Sequence, residues 1–291
     1  MDAVGFVGLG NMGSVLAANL VQTGHRVLAY DALGPERAPE GSTAVAAVAD
    51  IARRAEVIVL SLPNGAASAQ VAGEIAAVDD RCTSHVVDTS TVGVSNARAV
   101  ADQLADAGVT YVDAPVSGGV AGARARTLAV MYAADDRACE RIEPVLAGLS
   151  DRRCRVGHQA GMAQAMKLAN NFLSATALAA TSEAIAFGLS EGLEMATMLE
   201  VLNASSGRSA ATSDKFPDHV LTGRYAAGFT NSLMAKDVWL YLDAVEESGG
   251  PASVGEIVAA LWDRFAADEP GADFTRIYPF VAGRATSEED R

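Results

Sequence analysis

Over the first 160 or so residues, short apolar runs at 3–9, 26–31, 57–62, 85–89, 109–113 and 128–133 alternate with Ala-rich amphipathic stretches of helical length. Strands that alternate with helices predict βαβ units and a largely parallel, doubly wound sheet. The pattern then changes. The glycines of GHQAGMAQ interrupt the chain, and 163–191 reads as one long helix, followed by helices near 194–203, 231–248 and 252–267. The Ser-rich stretch 203–214, NASSGRSAATSD, reads as a loop, and the polar TSEEDR at the end as frayed. No internal repeat at a fixed period is present. These elements predict an α/β domain over 1–161 and an all-helical domain over 162–291, joined by the long helix. Small-molecule sites favour interdomain clefts, and that helix begins where such a cleft is expected.

Composition narrows the class. At 291 residues, half hydrophobic and a fifth charged, the chain is expected to be an ordinary soluble protein. No run of about 18 apolar residues is evident, so no bilayer span is expected. Even 172–189 carries Ser174, Thr176, Thr181, Ser182 and Glu183. The start MDAVGFVGLG lacks a basic leader, which argues against a signal peptide and for a cytoplasmic protein. A net charge of −14 argues against nucleic acid and anionic membranes as partners. Cys82, Cys139 and Cys154 suit a reducing compartment, and four scattered histidines show no metal-binding spacing, so no metal is expected.

Candidate chemistry begins at GFVGLGNMG, where Gly8, Gly10 and Gly13, with Leu9, Asn11 and Met12 between them, join a predicted strand to a predicted helix. One glycine permits the turn, the second lets backbone approach a pyrophosphate, and the third lets helix and strand pack closely. The next strand, RVLAYD, ends in Asp31, where a dinucleotide fingerprint needs an acid for the ribose hydroxyls. The fold is therefore expected to be of Rossmann type. Because no base precedes Arg37 after Asp31, NAD is expected rather than NADP.

Lys167, in AMKLANN, is one of three lysines against nineteen arginines. A desolvated ammonium can give up a proton, whereas a guanidinium cannot. Asn171 follows four residues later, on the same helical face.

The order GLGNMG (8–13), DTST (88–91), DAPVSGG (113–119), GMAQAMKLANN (161–171) and AKD (235–237) resembles the β-hydroxyacid dehydrogenase family. That family includes 3-hydroxyisobutyrate dehydrogenase and tartronate semialdehyde reductase. The resemblance implies a nicotinamide-dependent enzyme that interconverts a small 3-hydroxy acid and its semialdehyde or keto acid, and a homodimer or homotetramer. By it, Lys167 matches the catalytic lysine and Asn171 its partner. Ser117, Gly118 and Gly119 match the loop that grips the substrate carboxylate, Leu62, Pro63 and Thr91 line the cofactor, and Lys236 lies near nicotinamide and substrate. The chemistry of the residues agrees: consecutive glycines after Ser117 can expose N–H groups to a small anion.

Departures from the family pattern bear on the substrate. Arg126 stands where a glycine is usual, Ala133–Ala134 where two are, Ala163 replaces a glycine, and Val94 replaces a proline. Arg124 and Arg126 either contact the substrate or are exposed strand-end residues, the second being preferred. Lys215 reads as solvated charge. Two other readings are an imine reductase of the same fold, which commonly lacks this lysine, and a non-catalytic dinucleotide-binding protein, which would not need it.

Overall fold

The computed structural model describes residues 3–288. The chain forms two compact units, one ending at Lys167 and one beginning at Leu168.

In the first unit, nine strands form one sheet. They are β1 (Ala3–Val7), β2 (Val27–Tyr30), β3 (Thr43–Ala44), β4 (Ala55–Leu60), β5 (His85–Asp88), β6 (Thr110–Asp113), β7 (Val116–Ser117), β8 (Ala129–Ala133) and β9 (Arg152–Gly157). Their order is β3-β2-β1-β4-β5-β6-β8-β7, with β9 beside β8. β1 to β6 pair in parallel, and β8 runs antiparallel to β6 and β7. The chain leaves β1 for β2 on one side and later returns to β4 on the other. The glycine loop therefore lies at the switch point where doubly wound sheets bind ligands.

Both faces of the sheet are covered, as the near-continuous apolar strands require. Phe6, Val59 and Val87 face α1 (Gly13–Gln22) and α6 (Asp136–Leu149), where Leu16, Leu20, Ile142 and Leu146 are buried. Their neighbours Val7, Ile58 and Val86 face the other way, onto α2 (Val48–Ala52), α3 (Gly65–Ala76) and α4 (Val94–Asp106), through Ile51, Ile75 and Leu104. That is the two-residue alternation of a strand.

The strands β3, β7 and β9 were not legible in the apolar pattern. Two have only two residues. β9, RRCRVG, is a largely exposed strand whose Arg153 and Arg155 pair with Glu143 and Asp136 at 3.0 and 2.6 Å. Charges of that kind guard a sheet edge and hide its strand character. α5 (Gly119–Arg124) follows β7.

The long helix is α7 (Met162–Ser190), and α8 (Met195–Asn203), α9 (Asn231–Ser248), α10 (Ser253–Asp268) and α11 (Ile277–Glu288) follow it. In the second unit, Trp262, Phe265, Phe216, Leu178, Ile185 and Val238 form the buried centre, and the Trp262 indole donates to Ala175 O at 3.4 Å. The expected loop over 203–214 holds at 204–209, but Ala211–Val220 then coils as a wide π-type helix that buries Phe216 and Val220. Its Pro217 has no N–H to give to a regular helix. Lys215 there lies 5.9 Å from the centre of the Phe274 ring, so it is not merely solvated. α7 matches the long helix expected over 163–191, and by length and a mean hydropathy of 1.4 it also meets the dimensions of a membrane span, with 39% of that stretch buried. Part of that apolarity serves the core, through Leu178 and Ile185. α11 enters the tail expected to fray, and 289–291 lie outside the described residues.

Candidate active site

The three glycines have three different environments. Gly8 has φ +93°, and a side chain there would collide with the Ser61 carbonyl. At Gly13 a side chain would collide with the Gly8 carbonyl, so the start of α1 packs directly on the turn. At Gly10 a Cβ would meet nothing within 4 Å. Here the chain is bare toward open space, as close approach of a pyrophosphate requires. Met12 at the N-cap of α1 supplies no side-chain hydrogen bond, so no side chain competes for an anion at that end. The loop thus fits a dinucleotide.

Asp31 follows β2, and its carboxylate accepts from Leu9 N at 2.6 Å and Leu33 N at 2.9 Å. The acid therefore also ties the glycine loop to the second strand. Arg37, six residues on, returns through the short turn Pro35–Arg37 to bring its Nε within 3.9 Å of Asp31. Sequence distance had placed that base out of play.

A hydrogen-bonded seam runs along the strand ends. Leu62, beside Pro63 in the turn after β4, donates its N–H to Ser90 Oγ at 2.7 Å. Ser90 O in turn accepts from Gln164 Nε2 at 3.0 Å. Gln164 Oε1 accepts from Val92 N and Gly93 N at 2.9 and 3.2 Å, so Thr91 sits inside a held loop. The same Gln164 Nε2 donates to Asp113 Oδ1 at 2.8 Å, while Asp113 Oδ2 accepts from Gly161, Ala163 and Gln164 N, each at 3.0 Å. Asp113 is therefore the cap of α7. Burial pushes its carboxyl up to about 6, opposed by hydrogen bonds from Gln164 and Gly161, with the Asp88 charge adding to the rise. Burial also raises Asp88, whose neighbours Ser90 and Tyr111 donate to it.

One turn beyond Gln164 stands Lys167, only 7% exposed. Past β6, the chain turns through Ala114–Pro115 into Ser117, Gly118 and Gly119, with φ of +131° and +67° at the two glycines. Such left-handed backbone exposes successive N–H groups.

In the second unit, buried Asn171 donates to Asp237 Oδ2 at 2.6 Å. Lys236, about a third exposed, pairs with Asp237 at 2.9 Å. Asp237 thus holds both expected residues of that unit. Arg126 is neither idle nor turned to a ligand. At φ +58° it donates to Ala147 O and Gly148 O at 2.7 and 2.6 Å and to Asp151 at 2.9 Å, closing the end of α6. Its backbone angle explains why a glycine is usual there.

Ser90, Asp113 and Gln164 all lie within the motifs DTST, DAPVSGG and GMAQAMKLANN, but their sequence context assigned none of them a role. The available signals were an acid closing an apolar strand and a glutamine three residues before the lysine. Among the described residues, no three of His, Cys, Asp or Glu cluster as metal ligands would.

The chain is similar to known proteins along nearly its whole length. Residues 3–158 match the model for the NAD binding domain of 6-phosphogluconate dehydrogenase, and 161–281 that for the NAD-binding domain of NADP-dependent 3-hydroxyisobutyrate dehydrogenase. The 2-(hydroxymethyl)glutarate dehydrogenase of Eubacterium barkeri is 34% identical, over 89% of this chain and 88% of its own. The structure of Mycobacterium tuberculosis 3-hydroxyisobutyrate dehydrogenase with L-serine superposes with a TM-score of 0.90 at 31% identity, covering 97% of this chain and 99% of that one. Psf3, solved with NADP+ and 2-OPP, gives 0.80 at 25% identity over 96% and 100%. Imine reductases at 18–20% identity share the fold alone. A dinucleotide loop at the switch point, a capped lysine helix and full-length likeness to hydroxy-acid dehydrogenases together place this chain in the β-hydroxyacid dehydrogenase family, as an oxidoreductase of small 3-hydroxy acids that uses a nicotinamide dinucleotide.

Proposed function

We propose that Lys167 exchanges the proton of the substrate hydroxyl, and the observation that carries this is its burial on the first turns of α7. A bound nicotinamide supplies hydride acceptance from the carbinol carbon. Hydride can leave only as the hydroxyl loses its proton, so a neutral amine must be at hand. Desolvation disfavours the ammonium, which suits Lys167 to that task. The loop of Ser117, Gly118 and Gly119 holds the substrate carboxylate, the two glycines offering their N–H groups without adding net positive charge. The Asn171 amide, held by Asp237, orients the substrate hydroxyl, and Lys236 contributes a cation near cofactor and substrate. The glycine loop, Leu62, Pro63 and Thr91 bind the dinucleotide.

NAD is the proposed cofactor, since a 2′-phosphate would meet the Asp31 carboxylate. Arg37 favours the second reading, NADP, because it stands beside that acid. The proposed setting is cytoplasmic, away from nucleic acid and membrane, and the proposed partner is a second copy of the chain. In support, Leu173 and Phe187 on α7 are 64% and 67% exposed. A spectrophotometric screen of small 3-hydroxy acids with each dinucleotide tests the reading. Oxidation with NAD that falls by roughly 10²–10⁴ in Lys167→Ala is expected; an unchanged rate in that variant would end it.

A further inference from the structure

We infer that Asp113 and Gln164 are positioning residues which fix where Lys167 stands, an inference that rests on the role just given to that lysine. Both side chains are fully buried, at 0% exposure, and neither has a part in the proposed binding of dinucleotide or substrate. Their hydrogen bonds run instead to backbone that carries such parts.

Gln164 engages both ends of its amide. Oε1 takes two backbone N–H groups, of Val92 and Gly93, and Nε2 gives to Ser90 O and Asp113 Oδ1. Turning the amide over would set N–H against N–H at Val92 and oxygen against a carboxylate at Asp113, so a single orientation is allowed. Asp113 meanwhile holds three N–H groups at the beginning of α7. Together the two side chains bolt the first turn of α7 to the ends of β5 and β6. The loop after β5 carries Thr91, and the chain after β6 continues into Ser117–Gly119. The lysine turn, the dinucleotide loop and the carboxylate loop thus share one hydrogen-bonded frame.

Lys167 lies three residues beyond Gln164, about 4.5 Å up the helix and on neighbouring faces. Side chains on a helix lean toward its N-terminus, so Lys167 reaches back over the turn that Gln164 pins. A helix held only by apolar contacts could rotate or slide slightly, and a shift of about 1 Å at a reacting group can cost a hundredfold in rate. A cap that served stability alone would need Asp113 but not an amide reaching two further segments, the loop after β5 and the end of β6.

The test is a double-mutant cycle in the full-length enzyme, reading kcat and, separately, the Kd of the binary dinucleotide complex by fluorescence. Gln164→Met keeps length and loses all four amide bonds. It is expected to lower kcat by roughly 10–100-fold while the binary Kd moves less than about threefold. In a Lys167→Ala background, the same change should alter residual kcat by less than about twofold, because its effect passes through the lysine. Asp113→Asn is the second arm. It keeps size and an acceptor for the backbone N–H groups but presents an N–H to the Gln164 amide, and the same non-additive loss is expected. Additive losses in both arms, an unchanged kcat, or failure of both variants to fold would show a structural role only and overturn the inference. Full activity in Lys167→Ala alone would instead remove the reading on which it rests.

Discussion

Three glycines within six residues differ by what surrounds them. Gly10→Ala meets open space, so the melting temperature should hold within about 2 °C while dinucleotide Kd rises by tenfold or more as the new methyl meets the phosphates. Gly13→Ala must displace the Gly8 carbonyl, and an overpacked contact of that kind costs about 1–3 kcal/mol, read as a lower melting temperature without ligand. The reverse ranking would mean that the loop is a structural turn. Asp31→Asn keeps an acceptor for Leu9 N but removes the charge. The ratio of kcat/KM for NAD over NADP should then fall about tenfold, equivalent to about 1.4 kcal/mol. A ratio below one in the wild type would show that Arg37 dominates. At this scale the glycine spacing and Asp31 were readable from sequence because their chemistry is local. Arg37 was not, since a short turn decides whether six residues of separation become 3.9 Å.

Helix ends carry the next level. Asp113 caps α7, and its folded carboxyl is raised to about 6 from the usual 3.8 by burial. The folded state therefore holds this proton more tightly than the unfolded one. The stability it contributes is full below about pH 4 and is lost as pH rises through about 6, by on the order of 3 kcal/mol. Asp88, Tyr111 and Gln164 face the same carboxyl and stay in place in the comparison. Denaturant titrations should thus show the stability of Asp113→Asn relative to wild type rising between pH 4 and 6; a difference independent of pH would refute the assignment. Arg126→Ala removes the donors that close α6 and should cost about 1–3 kcal/mol while leaving kcat unchanged. A fall in kcat with stability intact would return Arg126 to the substrate. The parallel strands and long helices were legible because periodicity repeats over many residues. β9 and the 211–220 helix were not, because arginines mask an edge strand and Pro217 with its polar neighbours reads as a turn.

For the whole molecule, the division into α/β and helical units followed from one change of pattern near residue 160. The apolar richness of α7 was legible too, but which of its residues a single chain leaves uncovered was not. Leu178 and Ile185 are buried, whereas Leu173 and Phe187 are exposed, a difference set by neighbours distant in sequence. The proposed second copy would cover that face. Light scattering at micromolar concentration should give a dimer or larger, and Leu173→Glu with Phe187→Glu should shift it toward monomer; a monomeric wild type would contradict the proposal. The net charge of −14 repels an anionic substrate, so the proposed recognition falls to local N–H groups and lysines.

The central claim is that Lys167 is a lysine because it must release and take a proton. The most direct test is the pH dependence of kcat/KM for hydroxy-acid oxidation in wild type and Lys167→Arg. Arginine keeps the charge and approximate reach but stays protonated at any working pH. The account predicts an acid limb in the wild type, where activity falls as the amine becomes protonated. It predicts for Lys167→Arg a loss of roughly 10²–10⁴ with no such limb. Near-wild-type turnover by the arginine variant would contradict it.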